Sequence, residues 1–312
     1  MIKTKDIYVV GIGAANVDIY GKSSIKIKPH YDHPSIIKTT AGGVTRNILA
    51  NISKLGIKTK LLTAVGDDIY ARLIIDEAKK VGIDTKDIIK VKGDRSGVFM
   101  QVQDNNNDMH LALCDMTITK SINETYIKSK DKVLKNASLI ILDPSLDNKV
   151  FKYILKTYQD IPIFVDPISD NYALKIKTLL KDIYCIKPNK TELENLSGMS
   201  INNKDDLFNA FIKVNKKVKK LYVTLGINGC LYKDENNKLV IRKFNKVNNM
   251  ANASGAGDSF FGALAYSYIN KYSEEDTIDL ALAAGTASIL SEKTINPNMD
   301  VKYLRKIIQE NK

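Results

Sequence analysis

Asp258 has the most chemically suggestive surroundings in this 312-residue chain. It closes the run Asn252-Ala253-Ser254-Gly255-Ala256-Gly257-Asp258, and an apolar helical stretch, Ser259-Phe260-Phe261-Gly262-Ala263-Leu264, follows at once. Glycines in such a run let backbone N–H groups approach an anion closely, because no Cβ stands in the way. The start of a helix adds unpaired N–H groups and a partial positive charge. The backbone of Gly255, Ala256 and Gly257 is therefore suited to cradle a phosphate. A carboxylate beside that cradle is out of place unless it has a task. The task that fits is taking the proton from a hydroxyl that attacks phosphorus. Taken alone, Gly-x-Gly-Asp is equally the pattern of a turn and a helix cap.

Four further constellations lie along the chain. Gly13-Ala14-Ala15-Asn16-Val17-Asp18 follows a short apolar run; with Asn at position 16 it fails as a dinucleotide fingerprint. Asn16 and Asp18 are instead suited to hydrogen-bonding a polyol, since Asp accepts from hydroxyls and Asn both donates and accepts; an Asx turn is the plainer alternative. Ala41-Gly42-Gly43-Val44-Thr45-Arg46-Asn47 places two glycines before a helix that presents Asn47 in its first turn. Lys187-Pro188-Asn189-Lys190-Thr191-Glu192 opens another helix, with Asn189 and Glu192 three residues apart on one face. That pair is also a capping box, and one reading does not exclude the other. Thr224-Leu225-Gly226-Ile227-Asn228-Gly229 is a Gly-rich turn after a strand, while Gly66-Asp67-Asp68 reads as a structural turn.

In this order these motifs resemble the ribokinase-like (PfkB) carbohydrate kinases, and the resemblance runs over roughly residues 7–298. The family's C-terminal signature is Asp-Thr-x-Gly-Ala-Gly-Asp; Asn252 and Ala253 stand where it has Asp and Thr. Its N-terminal Gly-Gly-x-x-x-Asn matches Gly42 to Asn47, its Asn-x-x-Glu matches Asn189 and Glu192, and its Thr-x-Gly-x-x-Gly matches Thr224, Gly226 and Gly229. The resemblance implies ATP as phosphoryl donor, Asp258 as general base, and Gly255, Ala256 and Gly257 as the anion hole. It implies Asn16, Asp18, Gly43 and Asn47 around the sugar, and Lys187, Asn189, Thr224, Gly226, Gly229 and Asn296 around the nucleotide. Mg²⁺ would be held by Asn189 and Glu192 through water, in keeping with that ion's retention of most of its waters. A monovalent cation, K⁺ for instance, would lie near Asn252 and Ser254, with the adenine pocket built from 284–294.

Within the family, details resemble the pseudouridine kinases. Asp166-Pro167-Ile168-Ser169 is similar to that subgroup's Asp-Pro-Val-Ser, and Asp115-Met116 to its Asn-Asp-Met, with Cys114 in place of Asn. Leu196-Ser197-Gly198 and Thr294-Ile295-Asn296-Pro297 fit as well. The implied reaction is phosphorylation of the 5′-hydroxyl of pseudouridine, with Asp115 and Asn16 reading the base. The alternatives are a kinase of the same fold for ribose, fructose or adenosine, and a non-catalytic sugar- or nucleotide-binding protein.

The elements that must position these residues follow from patterning. Short β-branched runs at Ile7–Gly11, Lys60–Ala64, Ser138–Leu142, Ile163–Val165, Tyr184–Ile186 and Tyr222–Thr224 alternate with amphipathic segments at Thr45–Leu55, Ile69–Val81, Lys149–Thr157, Lys190–Leu196 and Lys204–Val214. Apolar strands alternating with helices predict an α/β fold, a parallel sheet covered on both faces, with ligands at the strands' carboxyl ends. In the ribokinase-like form this is a three-layer α/β/α sandwich and a single domain over 1–312. Two segments break the rhythm: about 19–40, containing the alternation Ser24-Ile25-Lys26-Ile27-Lys28, and about 95–114, a hairpin around Asp104–Asp108. Together they predict a small discontinuous β lid, which in many family members is also a homodimer contact.

Composition narrows the class. Hydrophobic residues make up 44% and charged residues 26%, as in ordinary globular chains. No apolar run approaches the length of a membrane span. The N-terminus reads as a first strand, and three scattered cysteines form no disulfide or metal framework, which fits a cytoplasmic protein. The net charge of +12 comes almost wholly from lysine, with arginine only at 46, 72, 95, 242 and 305, so the basic excess predicts solvated surface and no nucleic-acid partner. The densest cluster, Lys213 to Lys220, reads as the exposed face of a helix.

Overall fold

The computed structural model describes residues 6–105, 109–244 and 255–311. Seven strands form one parallel sheet. In spatial order they are Lys220–Leu221, Cys185–Ile186, Ile163–Val165, Leu139–Leu142, Tyr8–Ile12, Lys58–Leu62 and Ile83–Asp84. Successive side chains of a strand point to opposite faces, and here each face meets helices. Val9, Ile141 and Phe164 enter one core; Val10, Ile140 and Val165 enter the other. The first core packs under the helices Val44–Lys54, Ile69–Lys80, Ala256–Ile269, Glu274–Ile289 and Val301–Asn311. The second packs under Asn148–Thr157, Asp170–Ile176, Lys190–Ser197 and Lys204–Asn215, with shorter helices beside them. Burial on both faces explains why the strands read as unbroken apolar runs.

A second sheet of four strands stands apart, in the order Ser35–Gly42, Asn16–Ser23, Gly97–Gln103 and Met109–Asp115. Its two central strands are parallel and its outer pairs antiparallel. It occupies nearly the stretches assigned to a lid, but its first strand begins at Asn16, so Asn16 and Asp18 lie on the sheet itself. The alternation Ser24–Lys28 lies in the connection between the first two strands and is not a strand. The ladder stops at Ser23 opposite Ser35, with one further backbone bond from Ser24 N to the Pro34 carbonyl at 3.0 Å, and no ladder continues along the alternation. A further three-stranded sheet, Val223–Thr224, Cys230–Lys233 and Leu239–Arg242, is built around the Gly-rich turn, which joins its first two strands.

Helix starts follow local chemistry. Asp68 caps Ile69–Lys80, as a structural turn at 66–68 predicts, and its carboxylate also accepts from Ser96. In the lysine cluster, the helix ends at Asn215; Lys213, Lys216, Lys217 and Lys219 are exposed, whereas Lys220 begins the edge strand and pairs with Glu274. Among the described residues no helix is long and apolar enough to cross a membrane.

Candidate active site

The site gathers where the central strands end. Gly13 follows Ile12, Asp143 follows Leu142, Asp166 follows Val165 and Lys187 follows Ile186, all at carboxyl ends, where ligands of open parallel sheets bind. The helix Ala256–Ile269 points its N-terminus into this group. Gly255 caps it at φ +83°, a conformation that favours glycine, with no side-chain cap bond. A Cβ on Gly255 would lie 2.6 Å from the Thr294 carbonyl oxygen, so the loop after Glu274–Ile289 closes directly against the cradle.

Asp258, in the first turn, is the hub. One carboxylate oxygen accepts from Asn47 Nδ2 at 3.0 Å. Burial, and after it the charge of Asp166, push its carboxyl up to about 7, against the Asn47 bond and the Lys187 charge. Lys187 makes a buried ion pair with Asp166 at 3.0 Å, both side chains less than a tenth exposed. Its Nζ lies 3.5 Å from where a Gly257 Cβ would stand, which places the ammonium against the helix start. Burial works against that charge, yet Asp166, Glu192 and Asp258 together hold the ammonium above the usual lysine range.

Asn189 and Glu192 form a complete capping box: Asn189 Oδ1 accepts from Glu192 N at 2.9 Å, and Glu192 Oε2 accepts from Asn189 N at 2.8 Å. Burial and Asp166 push the Glu192 carboxyl up to about 7. Asp166, Glu192 and Asp258 thus crowd around one ammonium. Among the described residues no three acidic or imidazole side chains are grouped closely enough to hold a metal ion by themselves, so a magnesium ion here would keep most of its waters. Because the box already engages one oxygen of each residue, contact through water suits the ion better than a closed cage.

On the other side, Asp18 accepts from Asn16 Nδ2 at 2.6 Å and from the Tyr20 hydroxyl at 3.3 Å. Burial pushes its carboxyl up, against those bonds and the Arg46 charge. Gly43, at φ +95°, starts the helix that carries Asn47, and a Cβ there would meet the Ala14 carbonyl at 2.6 Å. Both glycines of the pair are needed, since a Cβ on Gly42 would overlap the Asp18 carboxylate at 2.1 Å.

The structure therefore brings together Asn16, Asp18, Gly43, Asn47, Lys187, Asn189, Glu192 and Gly255–Asp258. Thr224 joins them through a backbone bridge to Asn189. Gly226 and Gly229, both at positive φ, shape the turn beyond it. Asn296 is buried and commits its amide locally: Nδ2 donates to the Ala287 carbonyl at 2.6 Å and Oδ1 accepts from Asn298 N. Asp115 is not brought together with Asn16. It pairs with Val98, whereas Asn16 pairs with Gly97, so the two side chains leave opposite faces of the sheet. Its exposed carboxylate accepts from Thr117 N. Cys114, opposite Phe99, which is itself opposite Asp18, is on the site's face. Asn252 and Ser254 lie outside the described residues.

Three residues were not singled out for the site by sequence reasoning. Asp143 is buried and accepts from Ala14 N at 3.0 Å and the Thr45 hydroxyl at 3.1 Å, fixing the turn before Asn16. Asp166 enters as the partner of Lys187. Both are carboxylates directly after a buried strand, and that position was the available signal. Arg46, in the helix turn before Asn47, carried none.

A model of the pfkB family of carbohydrate kinases matches residues 6–301. The chain is 28% identical over 309 residues to a pseudouridine kinase of Escherichia coli (strain K12), covering 99% of this chain and 98% of that protein. It is 27% identical over 292 residues to a deoxyribokinase of Salmonella typhi, covering 93% and 94%. Its fold matches a ribokinase of Arabidopsis thaliana, solved with ribose and ATP, at a TM-score of 0.83 and 22% identity, covering 98% and 99%.

Proposed function

The chain belongs to the pfkB family of carbohydrate kinases and is a kinase for a sugar or nucleoside hydroxyl, and from that premise we propose that it phosphorylates the 5′-hydroxyl of pseudouridine. The observation that supports this reading best is Asp258 at the uncapped start of Ala256–Ile269, hydrogen-bonded to Asn47 and facing the buried Asp166–Lys187 pair. A base must be ionised to accept a proton, and a carboxyl held near 7 is matched to a weakly acidic hydroxyl under neutral conditions.

In this reading Asn16 and Asp18 hold the ribose hydroxyls and Asn47 fixes the base. Asp258 accepts the 5′-hydroxyl proton as the oxygen attacks the γ-phosphorus, and the bond from that phosphorus to the β,γ-bridging oxygen breaks to release ADP. The N–H groups of Gly255, Ala256 and Gly257 meet the charge on the transferring phosphoryl, a kind of contact worth about 3–4 kcal/mol per donor lost. Lys187 neutralises the same region. Magnesium, when bound beside Asn189 and Glu192, would supply charge to the triphosphate oxygens. The four-stranded sheet is the lid, and its closure over the acceptor excludes water.

The face of that sheet opposite Asp18 exposes Met100, Leu111, Leu113 and Ile37. An apolar sheet face of this kind favours a homodimer through the lid. The second reading, another acceptor within the family, is favoured by Cys114 on the site's face where pseudouridine kinases carry Asn. The test is product formation from ATP and Mg²⁺ across pseudouridine, uridine, adenosine, ribose, deoxyribose and fructose, with and without K⁺. Preference for pseudouridine is expected; preference for a free sugar would discard the nucleoside reading and keep the kinase.

A further inference from the structure

Arg46 is only 3% exposed, yet among the described residues no carboxylate forms an ion pair with it. Its Nε is buried without a hydrogen-bond partner. Asp18 and Glu77 act on it only from a distance, and burial pulls its guanidinium below the usual arginine range. A buried charge without an ion pair is a burden on folding. What the guanidinium does make is two bonds from Nη1, to Asn47 Oδ1 at 3.2 Å and to the Ala41 carbonyl at 3.4 Å. Ala41 is the penultimate residue of the strand Ser35–Gly42, where the outer sheet joins the body.

Asn47 is thereby held between two groups of opposite kind. Arginine only donates, an ionised carboxylate only accepts, and an amide has one end for each. With Oδ1 toward Arg46 and Nδ2 toward Asp258, both contacts are satisfied. With the amide reversed, NH₂ would face the guanidinium donors, and the oxygen would face Asp258, which could answer only by carrying a proton. We propose that Arg46 is a positioning residue for phosphoryl transfer: it locks the Asn47 amide in the orientation that donates to Asp258 and so favours its ionised form, and it ties that lock to the root of the lid strand at Ala41.

This proposal rests on the reading of Asp258 as base. Besides Asn47, the groups that bear on Asp258 are Asp166, Lys187 and Asp18, and all remain in place in the test. The experiment follows kcat/KM against pH, with Mg-ATP and pseudouridine or the best acceptor of the panel, for wild type, Arg46→Met, Arg46→Lys, Asn47→Ala, Arg46→Met/Asn47→Ala and Asp258→Asn. The Asn47 bond stabilises the ionised carboxylate, so losing its orientation raises the pKa. Arg46→Met is expected to move the acid limb to higher pH and to lower turnover at pH 7 by about 3- to 10-fold, with the limb moved equally in Asn47→Ala. In the double variant the two effects should overlap, Arg46→Met adding less than about twofold. Arg46→Lys keeps the charge but not the planar fork; it should move the limb too, and it substitutes for Arg46→Met if that variant does not unfold cooperatively near the wild-type temperature. An unmoved limb, or full additivity with Asn47→Ala, beside an inactive Asp258→Asn, overturns the role of Arg46 alone. Turnover retained in Asp258→Asn overturns the premise and the proposal with it.

Discussion

At the scale of residues the site works by placing carboxylates where they are uncomfortable. Asp258 has its carboxyl pushed up to about 7 by burial and by Asp166. Activity that requires the ionised base should rise through an acid limb near that value. Replacement of Asp166 by Asn removes a negative neighbour and should shift the limb to lower pH, measured as kcat/KM against pH at saturating Mg-ATP. The sign for stability is opposite. A carboxyl raised in the folded state stabilises the fold fully below its unfolded pKa, and that contribution is lost as pH rises from about 4 to about 7. Asp258→Asn should therefore be more stable to unfolding than wild type at pH 8, by up to about 4 kcal/mol, with the difference fading toward pH 4. With Asp258 as the proposed general base, turnover in the same variant should fall more than about 100-fold. The sequence displayed most of these residues: Asp258, Asn47, Asn16, Asp18, Lys187, Asn189 and Glu192 all meet at the strand ends. It did not display Arg46, whose importance lies in the direction of one amide, and spacing carries no information about that. Asp115 shows the converse limit: its neighbour Cys114 faces the site because strand register, fixed by pairing with Val98 and Phe99, alternates faces residue by residue.

At the scale of elements, two helix starts hold the site together. Gly255 at φ +83° begins one, and the Thr294 carbonyl lies where its Cβ would go. Gly255→Ala should lose turnover and stability together, since both the backbone conformation and the loop contact must yield; thermal unfolding with steady-state kinetics checks this. The other start, Asn189, is both cap and candidate magnesium contact. Asn189→Ala should cost about 1 kcal/mol of stability through the lost cap. Asn189→Asp keeps the cap, so its stability should stay near wild type while the Mg²⁺ dependence of turnover changes; an unchanged Mg²⁺ dependence would confine Asn189 to capping. The strands and helices up to Lys204–Asn215 were mostly readable within a few residues, because burial on both sheet faces writes continuous apolar runs. The helices Glu274–Ile289 and Val301–Asn311 were not read, and the run Tyr222–Thr224 overlaps a strand of the three-stranded sheet, the parallel sheet ending instead at Lys220–Leu221. The Ser24–Lys28 alternation misled for a physical reason: a period of two permits a strand, but only a pairing partner makes one. The edge strand Ile83–Asp84 is too short to carry any period.

At the scale of the whole molecule, the parallel sheet supplies a fixed platform at its strand ends, and the four-stranded sheet brings Asn16 and Asp18 over it. Its opposite face exposes Leu111 and Leu113. If that face joins two copies, the wild-type protein should sediment as a dimer, and Leu111→Lys with Leu113→Lys should sediment as a monomer; a monomeric wild type would remove the lid contact from the account. The parallel sheet and the separateness of the second sheet were legible as an alternation of strands and helices broken in two places; the order of the strands was not, because pairing partners far apart in the chain leave no local pattern. The seating of one sheet on the other was not, since it depends on glycines such as Gly42, whose missing Cβ makes room for the Asp18 carboxylate. The most direct test of the central claim is transfer of phosphate from Mg-ATP to a panel of nucleosides and sugars by wild type and Asp258→Asn side by side. The account predicts a 5′-phosphorylated ribosyl product, formed best from pseudouridine, in wild type and a loss of more than about 100-fold in the variant. Equal turnover by the two proteins, or no product from any acceptor, would contradict it.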